Sequence, residues 1–135
     1  MGHDSPVRLV RSAELTDQVP YAYAAVTESA SHHLFTAGAC PIDEHDAVVA
    51  VGDVAGQAEQ VMANLSAALT AAGAGLADVV KTTVYVATAQ RQDLLTAWDV
   101  VRRHFGDHDA PSTLLGVTIL GYPDQLVEVE AVAAY

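Results

Sequence analysis

The hydrophobic positions change period along the chain, and each change marks an element. Over residues 53–72, Ala55, Ala58, Val61, Met62, Leu65, Ala68, Leu69 and Ala72 recur at steps of three and four, which is one face of an amphipathic helix. Gly73 and Gly75 follow as stop signals. The segment "DVVKTTVYVA" at 78–87 is rich in β-branched residues, and its apolar run is broken only at Lys81, Thr82 and Thr83, so it predicts a central strand. "RQDLLTAWDVVRRHF" at 91–105 predicts a second helix. Leu94, Leu95, Trp98, Val101 and Phe105 fall on or near one face, Arg102 and Arg103 suit its C-terminal end, and Gly106 closes it.

Four shorter segments frame these three. After an N-terminal arm at 1–19 that carries a first short strand, "YAYAAV" (21–26) and "HLFTAG" (33–38) read as a hairpin around the loop "TESASH". "STLLGVTIL" (112–120) and "LVEVEAVAA" (126–134) are two further strands, separated by the turn-like "GYPDQ". The order predicts an α+β fold in one domain, 1–135, with both helices packed on one face of a mixed sheet. The other face is left over. Val84, Val86, Val117, Ile119, Val127 and Val129 are its expected residues, and such a face argues for self-association.

Composition narrows the class. A chain of 135 residues, 51% of them hydrophobic, can build its own core. No apolar run of about 18 residues occurs and the N-terminus lacks a basic stretch followed by a hydrophobic one, so the expectation is a soluble, cytoplasmic protein with no membrane partner. Cys40 is single and cannot form an internal disulfide. Six basic against seventeen acidic residues give a charge of −11, which repels polyanions and argues against a nucleic-acid partner. Arg8, Arg11, Lys81, Arg91, Arg102 and Arg103 also form no dense run.

The candidates for chemistry are few. Alternation in "LVEVEAVA" places Glu128 and Glu130 on one face and the valines on the other, so these carboxylates are either solvated at a rim or partly desolvated and able to move a proton. Tyr21 and Tyr23 share a side of a regular strand and either pack as aromatics or send both hydroxyls into one cleft. Cys40 has no basic sequence neighbour and reads as a buried, unreactive thiol. Of His3, His32, His33, His45, His104 and His108, only the pair 104 and 108 has i, i+4 spacing, and Gly106 interrupts it, so no metal site is expected. "AAGAGL" lacks the phosphate-binding glycine patterns, and no cofactor is expected.

"NLSAALTAAGAGLADVVKTTVYV", a Pro-led strand and "LVEVEAVA", in that order between residues 21 and 134, resemble the RidA (YjgF) family. The resemblance implies a chorismate-mutase-like fold, a homotrimer whose sheets close a central barrel, and small-ligand pockets between adjacent subunits. It also implies hydrolysis of reactive enamines and imines, such as 2-aminoacrylate, to a keto acid and ammonia without metal or cofactor. In such enzymes the Pro-led strand reads Pro-Ala-Arg-Ser, with the Arg on the substrate carboxylate and a Glu of the last strand on the water. Here Pro111-Ser112-Thr113-Leu114 puts Thr113 at the Arg, the acid falls on Glu128 and the pocket Tyr on Tyr21. The family's Ser-Gly-Gln has become Ala37-Gly38-Ala39, and the helix-two Asn is replaced by Trp98 or a neighbour.

A lost Arg–carboxylate contact removes about 1.5–3 kcal/mol per charge-assisted hydrogen bond. The resemblance therefore implies a hydrolase of a small neutral or cationic imine or enamine. Glu128, Tyr21 and Thr113 are its catalytic candidates, and Tyr23, Gly38, Ala39, Cys40, Trp98 and Leu115 line its pocket. The alternative is a non-catalytic trimer that binds a small metabolite or a partner protein in the same cleft. An endoribonuclease label borne by some members is opposed by the charge.

Overall fold

The computed structural model describes residues 5–135. The first four residues of the arm, His3 among them, lie outside the described residues. Strands β1 (Val7–Val10) and β2 (Ala24–Thr27) pair antiparallel as a separate two-stranded sheet. The main sheet holds β3 (His33–Phe35), β4 (Val79–Ala87), β5 (Ser112–Val117) and β6 (Val127–Ala134) in the spatial order β3-β6-β4-β5. It is mixed, because β4 pairs β5 parallel and β6 antiparallel. The expected hairpin is thereby corrected. β2 turns to β1 and β3 to the C-terminal strand β6, since the loop between them need not close on itself when each has a better edge to join.

Helix α1 (Val54–Ala71) starts where Asp53 caps it, its carboxylate accepting from the Gly56 N–H at 3.0 Å. α2 (Arg91–Phe105) ends at Gly106, whose φ of 62° belongs to the left-handed region. Both helices cover one face of the sheet. Val61, Met62, Leu65 and Leu69 of α1 and Ala97, Val100 and Val101 of α2 enclose Val79, Val84, Val86, Val127, Val129 and Ala133 in one core. Each buried Val or Leu contributes about 1.5–3 kcal/mol.

The residues expected on the uncovered face need correction for the same reason. Val84, Val86, Val127 and Val129 are completely buried under the helices. Alternation separates two sets of side chains, and the more apolar set takes the helices. The free face carries the other set: Lys81, Thr83 and Tyr85 on β4, Glu128, Glu130 and Val132 on β6, and Thr113 and Leu115 on β5. Ile119 is indeed exposed but lies beyond β5, which stops at Val117.

Candidate active site

Glu128 is fixed through one oxygen. Its Oε1 accepts from the Cys40 thiol at 3.1 Å and from Gln125 Nε2 at 3.4 Å, while Oε2 takes part in no hydrogen bond among the described residues. Gln125 is itself buried, holding Val127 O through the same amide and accepting the Tyr122 N–H at Oε1. The Glu128 side chain crosses directly over Gly38. A Cβ there would lie 2.6 Å from Glu128 Cδ, so the position admits only glycine unless the carboxylate moves.

The loop that brings Cys40 to Glu128 is held from two sides. The Ala39 N–H and C=O both pair with Val129, at 2.7 and 3.2 Å. Asn64 of α1 donates its amide to the carbonyls of Cys40 and Ile42, at 2.8 and 2.9 Å. Gln57, also on α1 and fully buried, accepts the Leu126 N–H and donates to Asp124 O, which sets the start of β6. Burial first, and then Glu128 as hydrogen-bond acceptor and as a neighbouring negative charge, push the Cys40 thiol up to about 11. Cys40 is therefore a proton donor to Glu128 near neutrality.

On the Cys40 side of this pair lies a cleft of about 760 Å³, lined by Phe35, Gly38, Cys40, Gln60, Asn64 and Tyr122 among others but not by Glu128. Tyr85 on the central strand donates its hydroxyl to Glu130 Oε1 at 2.7 Å, and that bond, with burial and the two carboxylate charges, raises its ionisation above the ordinary phenol range. Sequence reasoning missed Tyr85, Gln125, Gln57 and Asn64. Period-two alternation along β4 groups Tyr85 with Lys81 and Thr83, but only the pairing of β4 with β6 puts it beside Glu128; nothing local marks the other three.

The remaining candidates lie apart from Glu128 within one chain. Thr113 pairs with Thr83 while Glu128 pairs with Tyr85, so the intervening strand β4 holds them on the order of 10 Å apart. Thr113 Oγ1 accepts instead from Lys81 Nζ at 2.7 Å. Leu115 is exposed on the same strand. Trp98 packs on the core from α2, on the opposite side of the sheet, and lines a narrow crevice with Pro20, Phe105 and His108. Tyr21 and Tyr23 precede β2 rather than forming part of it, their rings edge to face at 6.1 Å, with the Tyr23 hydroxyl donating to Thr16 O. The Arg11 guanidinium ties this arm to Asp109 at 2.9 Å.

The histidine pair is also separated in role. His104 bonds Glu59 at 2.8 Å, and His108 Nε2 lies 2.7 Å from Val79 O. Among the described residues no helix is long and apolar enough to cross a membrane.

Three comparisons bear on this arrangement. The profile of the family described as endoribonuclease L-PSP matches residues 12–135. A RutC family protein of Pyrococcus horikoshii is 36% identical over 114 residues, covering 84% of this chain and 86% of the relative. A 2-iminobutanoate/2-iminopropanoate deaminase of Salmonella typhimurium is 34% identical over 102 residues, covering 74% and 77%. The crystal structure of a Rid family protein of unknown function from Yersinia pestis superposes with a TM-score of 0.89 at 28% identity, covering 96% of this chain and 99% of that one.

Proposed function

This chain belongs to the RidA (YjgF) family, and on that premise we propose that it is a hydrolase of a small neutral or cationic imine or enamine, with Glu128 as the group that activates water. The observation that carries the reading is the asymmetry of Glu128: Oε1 is pinned by Cys40 and Gln125, and Oε2 is left with a free acceptor site beside Gly38. A carboxylate held at one oxygen and open at the other is oriented without being neutralised.

The chemistry balances on that oxygen. Glu128 Oε2 takes a proton from water as the water oxygen bonds to the C=N carbon, and the electron pair of the C=N bond goes to nitrogen. The carboxyl returns its proton to that nitrogen to give a carbinolamine; the carboxylate then takes the hydroxyl proton and passes it to the nitrogen as the oxygen's electron pair forms the C=O bond and the C–N bond breaks, and a carbonyl compound and ammonia leave. An enamine enters as its imine tautomer. The Gly38 N–H, which donates in no hydrogen bond among the described residues, is free to orient the substrate, whereas the Ala39 N–H is committed to Val129.

Tyr21 and Thr113 then reach the reacting centre from an adjacent copy in a homotrimer, with Leu115 and Tyr23 completing the wall. Support comes from the free sheet face, where Phe35 is 76% exposed on an edge strand, and from the distance that separates Thr113 from Glu128 inside one chain. Turnover of neutral and cationic imines generated in situ, compared between wild type and Glu128→Gln, tests the reading. A fall of at least a hundredfold is expected. Equal rates, or none in either protein, would instead favour a trimer that binds metabolites without converting them.

A further inference from the structure

Helix α1 carries a glutamine among its buried residues. Gln57 stands with Ala58, Val61, Met62 and Leu65 and is completely buried, where an amide is tolerated only if its polar atoms are paired. The bonds of that amide run to main chain. Nε2 donates to Asp124 O at 2.9 Å and to Ala50 O at 3.4 Å, and Oε1 accepts the Leu126 N–H at 2.7 Å. Gln57 therefore holds the residues on either side of Gln125. Asp124 has a φ of 64°, in the left-handed region, which a residue other than glycine keeps when its surroundings fix it. Leu126 is fixed from its other side as well, its carbonyl accepting the Ala87 N–H at 2.8 Å.

We infer that Gln57 is a positioning residue for Glu128, acting from α1 through Gln125; the inference rests on the reading of Glu128 as the group that activates water. Between the two held residues Gln125 has little freedom. Its N–H donates to Tyr122 O at 3.1 Å and its Oε1 accepts the Tyr122 N–H at 3.0 Å, so Nε2 is the part that reaches outward, to Val127 O at 3.1 Å and to Glu128 Oε1 at 3.4 Å. Gln57 itself bonds neither Glu128 nor Cys40 among the described residues. Without its amide the turn at 124–126 loses two anchors, Gln125 Nε2 drifts from Oε1, and the Cys40 thiol alone holds the carboxylate. One donor leaves a carboxylate free to swing about that bond, whereas two donors on the same oxygen fix where Oε2 lies. The Gln125 amide also favours the Cys40 thiolate, against the burial and the Glu128 carboxylate that oppose it. Cys40 thus reports whether Gln125 is in place without any turnover.

Gln57→Met keeps the length of the side chain and removes the amide, and Gln125→Met removes the donor that the amide positions. The iodoacetamide rate of Cys40 at about pH 9.5 is expected to fall about threefold in each, and no further in the double variant, because losing the Gln125 amide moves the thiol further up. A substitution that only loosened the loop would expose the thiol and speed the reaction instead. On an imine that wild type turns over, each variant is expected to lower kcat about tenfold or more with KM within about twofold, and the double variant to match the single ones. Circular dichroism and urea melts check the fold. Should Gln57→Met fail to fold, Gln57→Asn, whose shorter stem cannot reach both 124 and 126, carries the comparison. A wild type without turnover sinks the hydrolase reading alone, since the alkylation rates still decide this one. The inference is overturned if Cys40 reacts as fast or faster in the Gln57 variant, if the effects of Gln57→Met and Gln125→Met add, or if kcat is unchanged in an active enzyme.

Discussion

The Cys40 thiol donates to Glu128 Oε1 at 3.1 Å, across 88 positions of sequence. This bond joins the loop after β3 to the last strand and ties the ionisation of the thiol to the presence of the carboxylate.

Alkylation of Cys40 should be slow at neutral pH and rise steeply only toward pH 11. Glu128→Gln removes the negative charge, leaving a weaker amide-oxygen acceptor and the burial, which is the largest cause, so the midpoint should fall without reaching the ordinary thiol value. The same shift has a sign for stability. The folded chain keeps the proton that the unfolded chain releases from about pH 9, so stability should decline as pH rises from about 9 to about 11. Iodoacetamide rates and urea melts against pH measure both, and a thiol that alkylates at the ordinary cysteine pH would contradict the geometry.

Gly38→Ala forces a methyl group into Glu128. Overpacking of this kind costs about 1–3 kcal/mol. Because the nearest backbone is pinned through Ala39 to Val129, the carboxylate is the part that must move. The expected result is a folded protein with a lower urea midpoint, a faster-reacting Cys40 and turnover reduced together with that of Glu128→Gln.

Asn64→Ala removes two hydrogen bonds to the loop carbonyls of Cys40 and Ile42. A cost of about 1–3 kcal/mol is expected from chemical denaturation. Hydrogen exchange should become faster in residues 39–42 and change little in β4, which would separate a loosened loop from a damaged core.

Phe35→Glu places a charge on an exposed edge-strand position of the free sheet face. Light scattering of wild type should give three times 14.1 kDa, and the variant should shift toward one chain. A wild-type protein that is monomeric at high concentration would remove the source proposed for Tyr21 and Thr113.

Much of the fold was legible because period and punctuation are local. The step of three and four from Ala55 to Ala72 located α1, and the β-branched run before Ala87 located β4 to within a residue. "VEVE" already separated the acids from the valines. The hairpin of β2 and β3 was misread because two adjacent strand-like segments give no local sign of which distant edge each will meet.

For the site, the sequence by itself determined which side chains share a face: Glu128 with Glu130, and Lys81 with Thr83 and Tyr85. Only the tertiary structure decided which face the helices cover, because alternation is symmetric until a second layer of apolar side chains breaks it. It also decided the contacts of Cys40 with Glu128, Asn64 with the Cys40 loop, and Lys81 with Thr113. These depend on the strand order β3-β6-β4-β5 and on the register between strands, and hydrogen bonds between residues 22 to 88 positions apart leave no periodic trace in the chain.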